Sequence, residues 1–143
     1  MNPSTWNLRV YGLLLKDGKI LITDEIRSSM RMTKFPGGGL EFGESFIDCL
    51  KREFLEEMNQ EIQVGDYFYH NNFLQLSAFN PKEQLISFYY KVDLVGDMNF
   101  ICVEKPFTFK EGQVQCFRWV DLAKLKAEDF SFPIDKIVAQ LLV

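Results

Sequence analysis

A chain of 143 residues and 16.7 kDa is the size of one domain with its own core. Hydrophobic residues at 47% and charged residues at 25% exclude a mostly disordered chain, a collagen and a coiled coil. A net charge of −4 argues against coating DNA or RNA through phosphate contacts, so no stable nucleic-acid partner is expected.

If the substrate is a phosphate compound, something else must neutralise it, and a divalent cation is the obvious candidate. The three cysteines, Cys49, Cys102 and Cys116, do not make a disulfide framework. The N-terminus lacks a basic segment followed by a long apolar one, and no apolar run approaches the roughly 20 residues of a membrane span. The expectation is one reduced, cytoplasmic domain over 1–143 with no membrane contact. Phe, at 14 residues, predicts an aromatic-rich core.

In chain order, a strand is predicted near Leu8 to Leu15. The Lys16-Asp17-Gly18 turn follows, and Lys19 to Thr23 returns as the second strand of a hairpin. Residues 24 to 43 read as a loop. They contain Pro36 and Gly37-Gly38-Gly39, a run ill suited to the inside of a helix or strand. Ser45 opens a helix through a Ser-x-x-Asp capping pair with Asp48. Ile47, Leu50, Phe54 and Met58 fall on one stripe of it, and Asn59 ends it as a left-handed cap. Strands are predicted over Ile62 to Leu76, Gln84 to Leu94 and Gln113 to Val120, with a turn at Asn80-Pro81-Lys82. Pro133 to Leu142 reads as a closing helix with proline in its first turn. Strands interleaved with two helices indicate an α/β or α+β domain.

The chemistry concentrates between Gly37 and Asn59. Glu53, Glu56 and Glu57 stand at i, i+3 and i+4, one face roughly 100° wide. Like charges at that spacing cost a few tenths of a kcal/mol per pair. Three carboxylates on one face suit a hard cation, and Mg²⁺ keeps several waters, so few are needed. By itself such a face is more often simply solvated. The glycine run upstream adds backbone groups that can approach a phosphate or a metal.

Gly38, five residues, Glu44, seven residues, then Arg52-Glu53-Phe54-Leu55-Glu56-Glu57-Met58-Asn59 resembles the Nudix box, G-x5-E-x7-R-E-U-x-E-E-x-G-U with U a bulky apolar residue. Every fixed position but one matches. Asn59 stands in place of the last glycine, and Gln60 in place of the final apolar residue. Phe35-Pro36-Gly37-Gly38-Gly39 and Phe117-Arg118-Trp119-Val120-Asp121-Leu122 are also similar to family segments. The resemblance implies an α/β/α sandwich with a central mixed β-sheet, the box forming a loop–helix–loop. It implies a hydrolase that cuts the diphosphate of a nucleoside diphosphate derivative with Mg²⁺ or Mn²⁺.

Residue by residue, the resemblance points to Glu56, Glu57 and Glu53 as metal ligands, with the Gly37 carbonyl as a backbone ligand. Arg52 and Glu44 orient the site, and Glu44 is also a candidate for a second metal. The general base varies in the family. Here Glu111, beside Gly112, is the candidate outside the box, with Glu104 a weaker rival. Gly38, Gly39, Arg27, Arg31 and Lys34 are candidates for binding substrate phosphates. Tyr67, Tyr69, Phe73 and Phe88 could stack a base, but in a chain so rich in Phe and Tyr core packing is the readier account of each. His70 reads as a strand-surface residue and Cys49 as a packing residue.

The small-molecule substrate expected is a nucleotide, with a lean to nucleoside triphosphates because the chain is short and shows no added dimerisation domain. Nucleotide sugars and ADP-ribose are the alternatives. Family members are often homodimers, so a second copy is a candidate partner. A sensor domain without turnover is the rival reading. The intact acidic residues, and a length with no room for a helix-turn-helix domain, weigh against it. In a third reading the acidic helix is structural only.

Overall fold

The computed structural model describes residues 2–143. Its strands are β1 (Thr5–Lys16), β2 (Lys19–Arg27), β3 (Met30–Lys34), β4 (Gly37–Gly39), β5 (Ile62–His70), β6 (Glu83–Leu94) and β7 (Gln115–Asp121). The described residues also form the α-helices α1 (Phe46–Met58) and α2 (Pro133–Leu142). The sheet path is β3-β2-β1-β6-β5, with β4 beside β1 and β7 beside β2. β1 runs parallel to β6, and the other pairings are antiparallel, so the sheet is mixed as expected.

β1 explains why the chain forms layers. Side chains alternate across a strand, and β1 is apolar on both faces along its inner half. Val10 and Leu14 pack with Cys49, Leu50, Phe54 and Met58 of α1. Tyr11 and Leu13 pack on the opposite side with Ile134, Val138 and Ala139 of α2. Each helix therefore covers its own face, which is the α/β/α arrangement. Among the described residues no helix is long and apolar enough to cross a membrane.

Local sequence sets the element ends. Asp17 and Gly18 both have positive φ, the geometry of a two-residue hairpin turn. Ser45 and Asp48 form a reciprocal capping box at the start of α1, and Asn59 closes the helix at φ 52°, ψ 37°. Gln60 is fully buried where the family has an apolar residue. Its amide donates to the Glu61 and Val95 carbonyls and accepts from the Asn99 backbone, so the polar substitution is satisfied.

Several expectations fail. Residues 24 to 43 are not a loop: β2 continues to Arg27, and β3 and β4 follow. The turn between β2 and β3 uses Ser28 and Ser29 at φ 50° and 65°, positions where glycine or asparagine is the usual signal. The glycine run forms β4, because the close antiparallel approach to β1 leaves no room for side chains. A Cβ on Gly37 would lie 2.1 Å from the Val10 carbonyl oxygen. Ile47 is exposed and Cys49 takes its place in the core. The strand expected over Ile62 to Leu76 ends at His70, after which Leu76 makes only an isolated bridge to Gln84.

Asp24, fully buried on β2, holds one side of the structure. It accepts from Arg118 Nε at 2.7 Å, from Thr33 Oγ1 at 2.7 Å and from the Phe107 backbone at 3.3 Å. It thus ties β2, β3, β7 and the 101–114 connection together. Breaking a buried charge pair by removing one partner costs about 3 kcal/mol or more. Asp24→Ala is expected to lose about that much in urea unfolding.

Candidate active site

α1 delivers its acidic residues to different environments. Glu53 and Glu57, one helical turn apart, face a pocket of about 550 Å³. Glu56 points outward, with 59% of its side chain exposed, and does not line the pocket. Glu44, in the loop before the helix, folds back onto Arg52.

Arg52 organises this group. Its Nε and Nη2 grip the Glu44 carboxylate at 2.6 and 2.9 Å. Nη2 also donates to the Gly39 carbonyl at 3.0 Å, while Nη1 donates to Glu53 at 2.8 Å and Glu56 at 3.2 Å. All the N–H donors of the guanidinium are used. Hydrogen bonding to Arg52 holds the Glu44 carboxyl below its ordinary range. The fork therefore fixes the helix face to β4 and relieves its like-charge repulsion.

Gly38 makes the arrangement possible. A Cβ there would sit 2.5 Å from the Glu53 carboxyl, so that carboxylate rests directly against the backbone of β4.

Glu57 is the outlier. Its Oε2 is buried and has no hydrogen-bond partner. Burial pushes its carboxyl up to about 7, against the pull of Lys34 and with a further push from Glu25 and Glu53. Glu25 and Lys34 face it from β2 and β3, joined at 3.1 Å. Gln115 donates to Glu25 at 3.2 Å, and burial's downward pull on the Lys34 ammonium is outweighed by Tyr11, Glu25 and Glu57.

An unpartnered buried carboxylate oxygen beside a second carboxylate is a hard-oxygen donor set. It fits a cation such as Mg²⁺, which fills its remaining positions with water. Among the described residues no three carboxylates, imidazoles or thiols converge on one point. Arg52 instead bonds both Glu53 and Glu56.

Strand parity sorts the other expected residues. Thr23, Glu25 and Arg27 on β2 share a face with Met30, Met32 and Lys34 on β3. Lys34 and Arg27 therefore line the pocket, Arg27 at its rim over the Phe79 ring at 4.2 Å. Arg31 falls on the other face, over the Phe107 ring at 4.8 Å, and does not reach the pocket. Gly37, Gly38 and Gly39 line it. Glu111 is exposed in the Lys110–Gln113 turn and Glu104 is exposed in the same connection; neither lines the pocket. Tyr67, Tyr69, Phe73 and Phe88 also lie outside it. His70 is exposed at the end of β5, bonded to the Tyr67 hydroxyl.

The pocket also holds residues that the sequence does not single out. Asn7, Arg9 and Tyr11 come from β1, and Leu85, Ser87 and Tyr89 from β6. Phe132 and Asp135 come from the start of α2. The polar–apolar alternation of Asn7-Leu8-Arg9-Val10 reads as a strand with one solvated face, and that face is the pocket floor. Asp135 accepts from Tyr89 Oη at 2.6 Å, and burial pushes its carboxyl up to about 6.

The model of the NUDIX domain family matches residues 6–141. This chain belongs to the Nudix family. A mouse protein, nucleoside diphosphate-linked moiety X motif 6 (Mus musculus), is 28% identical over 129 residues. That match takes in 87% of this chain and 37% of the mouse protein, so the chain spans well under half the length of that relative. The ORF135 protein of E. coli superimposes with a TM-score of 0.71 at 21% identity, over 95% of this chain and 87% of that one. The MutT protein of Methanosarcina mazei Go1 gives 0.69 at 19% identity, over 97% and 94%. These structural likenesses establish the shared fold.

An acid whose folded pKa lies above its ordinary value binds more protons folded than unfolded. Its contribution to stability therefore falls as pH rises from about 4.5 to about 7. In EDTA at pH 8, Glu57→Gln is expected to be more stable than wild type by on the order of 2 kcal/mol. At pH 4 the gain should vanish. Urea unfolding at the two pH values measures both.

Proposed function

We propose that this chain is a Mg²⁺-dependent pyrophosphohydrolase that cuts the diphosphate linkage of a nucleotide, with nucleoside triphosphates the favoured class. The observation that carries the reading is the orphaned Glu57 carboxylate oxygen in a pocket that Glu53, the glycines of β4 and Tyr89 also line.

Glu53 and Glu57 would hold the metal, with the backbone around Gly37 beside them. Glu56 would join only by leaving Arg52. A Mg²⁺ ion held there would supply Lewis-acid polarisation of a phosphoryl oxygen and charge neutralisation of the departing phosphate. Arg52 keeps Glu53 in place through the Gly39 carbonyl and Glu44. Lys34 and Arg27 supply positive charge toward the phosphates. Water attacks phosphorus, the anhydride P–O bond breaks, and the two phosphates separate. Tyr89, Phe132 and Asp135 form a half-apolar wall suited to the organic part of the substrate.

The test is hydrolysis of nucleoside triphosphates, nucleotide sugars, dinucleoside polyphosphates and ADP-ribose, with and without Mg²⁺ or Mn²⁺. Turnover is expected to need metal, to favour a triphosphate and to fall at least ~100-fold in Glu57→Gln. Tight ligand binding with no turnover on any compound would instead establish the sensor reading. A Glu57→Gln variant with unchanged turnover and metal affinity would make the acidic helix structural only.

A further inference from the structure

The pocket floor holds two cations on elements outside the box helix. Arg9, on β1, donates from Nε to the Tyr11 hydroxyl at 2.6 Å. Its terminal amino groups make no hydrogen bond or ion pair among the described residues. The guanidinium lies along β4, since a Cβ on Gly39 would be 3.6 Å from Nη1. Lys34, on β3, is buried, with 9% of its side chain exposed. Its ammonium sits 5.4 Å from the centre of the same Tyr11 ring and is steadied by Glu25. Tyr11 itself is stacked on Tyr89 at 5.2 Å, so its position is fixed.

The cations therefore converge from two strands on one rigid aromatic ring. They line the same pocket as Glu53 and Glu57, and Tyr89, stacked on Tyr11 and bonded to Asp135, lies beside them. A guanidinium tethered by one nitrogen and open at the others offers a planar fork, which matches two phosphate oxygens. A buried ammonium beside it adds a point charge in a medium of reduced dielectric, where it acts more strongly than in water.

We propose that Arg9 and Lys34, both set by Tyr11, form a phosphate subsite in the pocket that Glu53 and Glu57 also line. It takes the phosphoryl group that stays bonded to the organic moiety when the anhydride is cut. Which phosphate binds there rests on the hydrolase reading above; that an oxyanion binds there without metal does not.

The subsite is tested by 31P NMR titration with inorganic phosphate in EDTA at pH 8, a condition that removes the metal and silences turnover. Wild type is expected to bind phosphate saturably. Arg9→Gln should weaken binding about tenfold, and so should the paired change Glu25→Gln/Lys34→Gln, which avoids leaving a buried carboxylate alone. Tyr11→Phe should weaken it by a smaller factor through loss of the Arg9 anchor. Glu57→Gln should bind as well as wild type or better, because a repelling charge is gone. Absence of saturable binding in EDTA would overturn the proposal, and so would folded Arg9→Gln with wild-type affinity. Loss of binding in Glu57→Gln would also overturn it. No metal and no catalysis enter the titration, so its outcome stands whether or not the hydrolase assay succeeds.

Discussion

A carboxylate oxygen of Glu57 is buried with nothing to bond to, and much of the site follows from that constraint. Burial of a charge without a partner is costly, and the carboxyl answers by holding its proton to about 7. The surrounding residues do not remove the difficulty. Glu25 and Glu53 make it worse, and Lys34, itself paired with Glu25, and to a lesser degree Gln115 give only partial relief. A divalent cation in the pocket would satisfy Glu57 and Glu53 together. The strain in the free protein is therefore of the kind that a functional site retains.

The rest of the box keeps this carboxylate in place without sharing its problem. Arg52 saturates its own donors on Glu44, Glu53, Glu56 and the Gly39 carbonyl, locking α1 to β4. Gly38 lets Glu53 lie on the strand, and the Ser45–Asp48 and Asn59 caps fix both ends of the helix. Asp24 and Arg118 do for β2, β3 and β7 what Arg52 does for the helix. Arg52 thus holds the helix that carries Glu53 and Glu57, and Asp24 holds the strands that carry Glu25, Arg27 and Lys34.

The helix is legible in the sequence because its signals are local. The capping pair, the 3.6-residue period and the left-handed asparagine act within a few residues of chain. β3 and β4 are not legible, because their causes lie elsewhere. The Ser28-Ser29 turn carries no glycine, and Gly37-Gly38-Gly39 is extended only because β1 lies against it. Without β3, the parity that sends Lys34 into the pocket and Arg31 out of it stays hidden. Arg9 is masked for a similar reason: an alternating strand looks the same whether its polar face meets solvent or a pocket. Glu111 is close in sequence to Gly112 and the Trp119 strand, but it is exposed and does not line the pocket.

The most direct test of the metal site is a 13C NMR titration of the Glu57 side-chain carboxyl, with and without Mg²⁺. The assignment would come from comparison with Glu57→Gln. The expected result is a midpoint near 7 in EDTA, as burial of the carboxyl requires, and a clear fall in that midpoint when Mg²⁺ is added. A Glu57 midpoint that Mg²⁺ leaves unmoved would contradict the assignment of this carboxylate as a metal ligand.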